Sequence, residues 1–211
     1  MTTVESTAHE DNEAVLNLQN PDYYFNRELS LLEFNDRVLA QAKNEDVPLL
    51  ERLNYLCISC SNLDEFFEVR VASLKKQMAF SREIPGPDGT PPAEVLEQVN
   101  HLTLQAVEHQ YKVLNEHLFP ELAKENIRFI RRADWNAAQK KWVKKYFEEE
   151  IQPVISPIGL DPSHPFPRLV NKSLNFIVDL EGKDAFGRNT GLALIPAPRS
   201  LPRLYRIPDE F

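Results

Sequence analysis

Apolar residues recur every three or four positions between Leu31 and Leu118, which is the period of an amphipathic α-helix. Polar residues at 44–46 and 61–62 interrupt this pattern, and a segment rich in proline and glycine at 84–92 separates its last part. The pattern predicts helices at 31–43, 48–60, 63–80 and 93–117. In the first helix Leu31, Phe34, Val38 and Ala42 fall on one face, which is therefore the face expected in the core. We therefore expect an all-helical bundle domain over residues 22–123.

Two of these helices carry a start signal. Ser30 and Glu33 have the spacing of a capping box, which places the start of the first helix at Leu31. Asn62 and Glu65 have the same spacing, which predicts that Asn62 caps the third helix. Such a cap contributes about 1 kcal/mol and is sufficient to explain an asparagine at this position.

The pattern changes after residue 123. A helix capped by Asp134 is predicted, with Trp135, Trp142 and Tyr146 on one side. Apolar or alternating segments predict strands at 127–130, 174–180, 191–196 and 204–207. A few strands and one helix seldom bury enough apolar area to fold alone. We therefore expect an α+β fold in which a flexible tail (1–21) and the helical bundle precede the incomplete start of an α+β head domain (124–211).

Composition argues against several classes of protein. The formal net charge is −8, whereas a nucleic-acid-binding protein usually has a basic surplus. No segment approaches the ~20 consecutive apolar residues of a membrane span. The first twenty residues lack the basic start and apolar run of a signal peptide. We expect a cytoplasmic protein with no nucleic-acid partner and no membrane span.

The sequence contains few candidate catalytic or metal-binding residues, and it lacks the glycine-rich phosphate-binding motifs. Cys57 and Cys60 have the spacing of a redox pair or half a metal site, but no second cysteine pair or histidine cluster completes one, which favours two small helical residues. His164 is a candidate nucleophile with Asp161 nearby in sequence, although a loop-packing role is favoured.

A basic cluster follows the helical domain. It includes Arg131, Arg132 and four lysines, Lys140, Lys141, Lys144 and Lys145, which are interleaved with tryptophans. The functional interpretation is an anion-binding face. The alternative, which the acidic run at 148–150 favours, is the solvated side of an amphipathic helix.

Four segments, in order along the chain, resemble one family. Residues 25–39, 47–53 and 61–71 resemble the opening of bacterial polyphosphate kinases of the histidine-phosphorylating type, and the loop 161–167 resembles the second domain of the same family. Leu32 is a small departure, because the family often has tryptophan there.

The resemblance implies an enzyme that reversibly transfers the terminal phosphate of ATP to inorganic polyphosphate through a phosphohistidine, with Mg²⁺. It also implies ATP or ADP contact by Asn62, which lies in a matched segment, and homo-oligomer contacts through the head domain. The chain covers only the first part of the family's length. We therefore expect no catalytic or metal-binding residue in it, and no activity from the 211-residue chain alone.

Two alternatives stay open from the residues. One is a non-catalytic helical adaptor or subunit-interaction module. The other is a polyanion-binding protein that uses the lysines of the basic cluster.

Overall fold

The chain divides into two units, Met1–Phe129 and Ile130–Phe211. A computed structural model describes residues 17–80, 84–161, 163–182 and 191–211. Most of the predicted tail (1–21), Pro162 and most of the connection at 181–189 therefore lie outside the described residues. In the described part of the first unit, the α-helices are α1 (Arg27–Gln41), α2 (Leu49–Phe66), α3 (Ala72–Ala79), α4 (Pro92–Lys112) and α5 (Phe119–Lys124).

Helix α1 begins at Arg27, one turn before the predicted start. The side chain of Asn26 accepts hydrogen bonds from the backbone N–H groups of Glu28 (3.1 Å) and Leu29 (3.2 Å). The predicted capping box at Ser30 is therefore wrong, because Asn26 already satisfies the first turn. The Asn26 amide also donates to Asp88 Oδ2 (3.0 Å), which ties the segment before α4 to the start of α1.

Helix α2 continues through the predicted break at 61–62. It leads directly into a π-helical turn at Phe67–Val71 and then into α3. Asn62 therefore lies inside a helix, and the prediction that it caps one is wrong. Helix α4 leads in the same way through a π-helical turn, Val113–Leu118, into α5.

The core of the first unit joins α1, α2 and α4 in two clusters. One contains Leu32, Leu63, Phe66, Val71, Leu74, Val95 and Val99. The other contains Leu39, Ala42, Leu56, Val113 and Leu118. The start of α1 buries a different side from the predicted one: Leu31 and Phe34 are exposed, and Leu32 and Asn35 are buried instead, whereas Ala42 at the end of the predicted stripe is buried as expected.

Thr103 offers a test of this core. Its side chain is buried in α4, and its hydroxyl has no hydrogen-bond partner among the described residues. We expect Thr103→Val to raise the free energy of unfolding by about 1 kcal/mol, because the substitution removes a buried hydroxyl that forms no hydrogen bond. Urea denaturation measures the change. Thr90→Val is the matched control and should destabilise the protein, because the Thr90 hydroxyl donates to Asp88. A destabilised Thr103→Val variant would contradict the expectation.

The second unit contains one α-helix and a small sheet within its described residues. Helix α6 (Ala137–Tyr146) is capped by Asn136, which forms a reciprocal capping box with Gln139. The prediction of Asp134 as the cap is therefore wrong. A π-helical turn, Phe147–Ile151, follows α6.

The sheet is antiparallel, in the order β1-β3-β2, with β1 at Ile158–Leu160, β2 at Asn175–Asp179 and β3 at Leu192–Pro196. Leu194 of β3 pairs with Ile158 on one side and Ile177 on the other. The strands predicted at 174–180 and 191–196 are confirmed, whereas those at 127–130 and 204–207 are wrong and β1 was not predicted.

The predicted fold class, a helical domain followed by an α+β one, is confirmed. No helix in the described residues is both long and apolar enough to cross a membrane.

Candidate functional site

A cavity of about 260 Å³ lies in the first unit, between α1 and the segment that runs from the end of α2 into the π-helical turn. Its lining is mainly apolar, with two amides and two charged side chains. The lining residues are Leu31, Leu32, Phe34, Asn35, Asn62, Leu63, Glu65, Phe66, Val69 and Arg70.

The apolar side chains give the cavity walls that suit the flat face of a ring. Phe34 is 51% exposed and Val69 is 54% exposed, so the cavity opens to solvent between α1 and the π-helical turn. The guanidinium carbon of Arg37 lies 5.7 Å from the centre of the Phe34 ring, a cation–π distance that restrains the ring. Leu31 and Phe34 were predicted as core residues, and the structure places them in this cavity instead.

Asn62 is half-buried in the cavity and is held by a buried polar network. Its Nδ2 donates to Oδ1 of Asn35 (3.2 Å), and Nδ2 of Asn35 donates to the backbone carbonyl of Ser59 (3.0 Å). The Ser59 hydroxyl accepts from Nε2 of Gln110 (3.0 Å). Asn35, Ser59 and Gln110 are all buried, so the network links α1, α2 and α4 beneath the cavity.

The network leaves part of the Asn62 amide for a ligand. Within the residues that the structure describes, Asn62 Oδ1 and one Nδ2 hydrogen have no protein partner. A carboxamide offers a donor and an acceptor side by side, and such a pair matches the polar edge of a nucleobase such as adenine.

Two charged residues complete the lining. Glu65 is exposed and Arg70 is half-buried, and neither forms an ion pair with another described residue. Both charges therefore remain available to a polar or charged ligand at the mouth of the cavity.

The other candidates from the sequence lie elsewhere. His164 is 77% exposed, with Nδ1 at 3.4 Å from Asp161 Oδ2 and 3.2 Å from Ser163 Oγ. Hydrogen bonds from the Ser163 backbone and side chain, followed by the effect of His164, hold the pKa of Asp161 below its ordinary value. This arrangement is that of an exposed turn closed by its own side chains.

Cys57 and Cys60 are free and exposed on α2. Although the residue is exposed, partial burial of the Cys60 thiol, followed by the nearby Cys57 and Asp64, raises its pKa, which disfavours the reactive thiolate at neutral pH. Among the described residues, no group of three or more histidine, cysteine or acidic side chains is placed to hold a metal ion.

The four lysines of the basic cluster lie on α6, and two of them pair with glutamates of the π-helical turn that follows. Lys144 pairs with Glu148 (3.7 Å) and Lys145 with Glu149 (3.9 Å), with all four side chains more than half exposed. These pairs favour the solvated-face interpretation over an anion-binding face.

The family resemblance proposed Asn62 as a contact for ATP or ADP, but Asn35 and Gln110, on which the setting of Asn62 depends, were not predicted. The sequence feature that could have revealed Asn35 is its position between Leu32 and Leu39, on the side of α1 that is buried in the structure. A polar residue at such a position needs a buried partner.

Comparison with known proteins finds one family over nearly the whole described chain. Residues 24–130 match the polyphosphate kinase N-terminal domain and residues 138–210 match the polyphosphate kinase middle domain. The polyphosphate kinase of Pseudomonas syringae is 59% identical over 92% of this chain and 26% of the relative. That of Pseudomonas aeruginosa is 58% identical over 92% of this chain and 28% of the relative.

A solved structure supports the same match. The crystal structure of the polyphosphate kinase from Porphyromonas gingivalis superposes with a TM-score of 0.70 and 28% sequence identity, over 87% of this chain and 26% of that one. The chain therefore spans about a quarter of the length of the relatives that it matches.

Proposed function

This chain belongs to the polyphosphate kinase family, and from that premise we propose that it supplies part of the nucleotide site of an enzyme that reversibly transfers the terminal phosphate of ATP to inorganic polyphosphate. The observation that carries the proposal is the position of Asn62. Its half-buried amide lines the apolar cavity with one donor and one acceptor left for a ligand.

The chemistry of the cavity suits an adenine base. The amide can accept a hydrogen bond from the exocyclic amine of adenine and donate one to the adjacent ring nitrogen. Leu31 and Phe34 offer apolar contact to the ring faces. In this proposal the chain binds and orients the base, and the phosphates extend toward residues outside it.

Phosphoryl transfer depends on positioning and on electrostatic stabilisation of the transferring group. We propose that the phosphohistidine and the groups that hold Mg²⁺ belong to the part of the relatives that this chain does not match. The described residues form no cluster suited to a metal ion, so we assign no step through Mg²⁺ to this chain. The 211-residue chain alone is then expected to be inactive.

The second unit has a separate role in this proposal, which is contact between subunits of a homo-oligomer. Its sheet supports this role, because the large apolar side chains of Phe176 and Ile177 on β2 are 51% and 60% exposed. Exposed apolar side chains on a sheet are typical of surfaces that another protein covers.

Replacing Asn62 with alanine tests the proposed nucleotide site. The protein for the test is a chimera in which this chain is joined to the remaining three quarters of the Pseudomonas aeruginosa relative. In ATP-dependent polyphosphate synthesis with Mg²⁺, we expect Asn62→Ala to raise the KM for ATP roughly tenfold with kcat nearly unchanged. The reason is that contacts to the base hold equally in the ground state and the transition state.

Asn54→Ala is the matched control, because Asn54 is exposed on α2 and does not line the cavity. It should leave the KM for ATP unchanged. An unchanged KM in Asn62→Ala would remove the nucleotide assignment. A chimera without any activity would favour the non-catalytic adaptor, and activity of the 211-residue chain alone would show that its own residues carry the chemistry.

A further inference from the structure

We propose that Asn35 is a positioning residue, which fixes the orientation of the Asn62 amide and thereby makes the cavity select adenine over guanine. The inference rests on the proposed function, because it takes Asn62 as the residue that contacts the base. It adds a residue that does not itself touch the base, and it assigns the origin of base selectivity.

The orientation of Asn35 is dictated by Ser59. The backbone carbonyl of Ser59 can only accept a hydrogen bond, and it lies 3.0 Å from the Asn35 side chain. Asn35 must therefore present its amino group to Ser59. Because Asn35 is only 6% exposed, water cannot readily replace this bond, and turning the amide over would bring two oxygens together.

The orientation of Asn35 in turn dictates that of Asn62. With its amino group on Ser59, Asn35 presents Oδ1 to Asn62, at 3.2 Å from Nδ2. Asn62 must therefore donate, and its own Oδ1 is directed away from Asn35. A carboxamide on a protein surface rotates between its two orientations. The Asn62 amide is held in a single orientation, because the backbone carbonyl of Ser59 fixes Asn35 and Asn35 fixes Asn62.

The start of this chain of bonds is itself fixed. The Ser59 hydroxyl accepts from Gln110 (3.0 Å), and Ser59 and Gln110 are 1% and 6% exposed. Ser59 belongs to α2, Gln110 to α4 and Asn35 to α1. The reference point for the Asn62 amide is therefore set by the packing of three helices.

A fixed amide distinguishes the two purines. On its Watson–Crick edge adenine presents a donor at N6 beside an acceptor at N1, and one asparagine amide satisfies both. Guanine presents the reverse on that edge, an acceptor at O6 beside a donor at N1, so an amide fixed to match adenine places its oxygen against O6 and its amino group against the N1 hydrogen. A freely turning amide would match either base and lose most of this difference. Good bidentate contacts of this kind discriminate between bases by roughly tenfold or more.

A double-mutant cycle in the chimera tests the proposal. The variants are Asn35→Leu, Asn62→Ala and the combination, and the measured quantities are the KM for ATP and the inhibition constant of GTP against ATP. The selectivity ratio is the inhibition constant of GTP divided by the KM for ATP. We expect Asn35→Leu to reduce this ratio about tenfold, with kcat within about twofold. In the Asn62→Ala background Asn35→Leu should have no further effect on the ratio, because it acts only through Asn62.

Leu39→Ala is the control for a purely structural effect. Leu39 is 1% exposed and lies one turn after Asn35 on α1, so this variant should lower the melting temperature and leave the selectivity ratio unchanged. Asn35→Ala, which removes both hydrogen bonds without adding volume, gives the same measurement if Asn35→Leu does not fold.

The outcomes separate the two proposals. If Asn62→Ala raises the KM for ATP while Asn35→Leu leaves the ratio unchanged, the positioning role is wrong and the nucleotide site stands. If the effects of the two substitutions on the ratio add, Asn35 acts independently of Asn62 and the positioning role is again wrong. If Asn62→Ala changes neither constant, both proposals fail.

Discussion

Replacing Leu118 with alanine is expected to lower the free energy of unfolding by about 3–4 kcal/mol. Leu118 is completely buried and is the last residue of the second π-helical turn, where it packs in one cluster with Leu39, Leu56 and Val113. Truncation removes apolar contacts and leaves a cavity, because the close-packed side chains around it relax only partially.

Urea denaturation followed by far-ultraviolet circular dichroism measures this change, because most of the described helical residues belong to the first unit. Leu104→Ala is the matched control. Leu104 is on α4 but 69% exposed, so its truncation should change stability by less than about 0.5 kcal/mol. Equal losses in the two variants would mean that Leu118 is not in a packed core.

Replacing Glu121 with alanine is expected to cost about 2–3 kcal/mol, because it leaves a buried guanidinium without its carboxylate. Arg52 is 4% exposed, and its Nε donates to the Ala42 carbonyl (3.0 Å). Its Nη1 and Nη2 donate to the two carboxylate oxygens of Glu121, at 2.6 and 3.3 Å. Because the Glu121 side chain is 32% exposed, water reaches one end of the pair and keeps the loss near the lower end for buried ion pairs.

Glu149→Ala provides the comparison for this ion pair. It breaks the pair between Lys145 and Glu149, whose side chains are 71% and 60% exposed, and should change the free energy of unfolding by less than about 1 kcal/mol. The same urea titration measures both variants. A loss for Glu121→Ala no larger than that for Glu149→Ala would show that Arg52 is satisfied without its carboxylate.

Periodicity predicted where most of the helices of the first unit lie, but it did not identify the side of α1 that is buried. Leu31 and Leu32 are adjacent, and each begins an apolar series with helical spacing. The series from Leu31 contains only apolar residues, whereas the series from Leu32 includes Asn35. The second series is nevertheless the buried one, because Asn35 is satisfied by Ser59 and Asn62, and this could be seen only after α1 and α2 were brought together.

The candidate site was predicted only in part. Asn62 came from a family resemblance, and its residue type alone favoured a helix cap, which the structure excludes. The cavity depends on Leu31 and Phe34, which the sequence assigned to the core. A side chain that lines a ligand cavity and one that packs in a core have the same spacing and the same polarity, so a single sequence does not separate them.

In the second unit, strand prediction failed for segments whose strand formation depends on a partner strand elsewhere in the chain. The alternation around β2 extends over several residues and was recognised, whereas β1 has three residues between proline-rich segments and no alternation to recognise. The apolar segment at 204–207 has the composition of a strand but does not pair in the described structure. Pairing depends on a neighbour elsewhere in the chain, which local pattern does not contain.

The π-helical turns make the first unit sensitive to the number of its residues as well as to their identity. Each turn separates two buried residues by five positions: Phe66, just before the first turn, and Val71, its last residue, in one case, and Val113 and Leu118, the first and last residues of the second turn, in the other. Deleting one residue within such a turn would restore the ordinary helical repeat and rotate every later side chain of that helix by about 100°. Leu74 would then leave the core that it shares with Val71. A substitution in one of these turns changes a single side chain, whereas an insertion or deletion of a single residue changes the phase of the whole helix that follows.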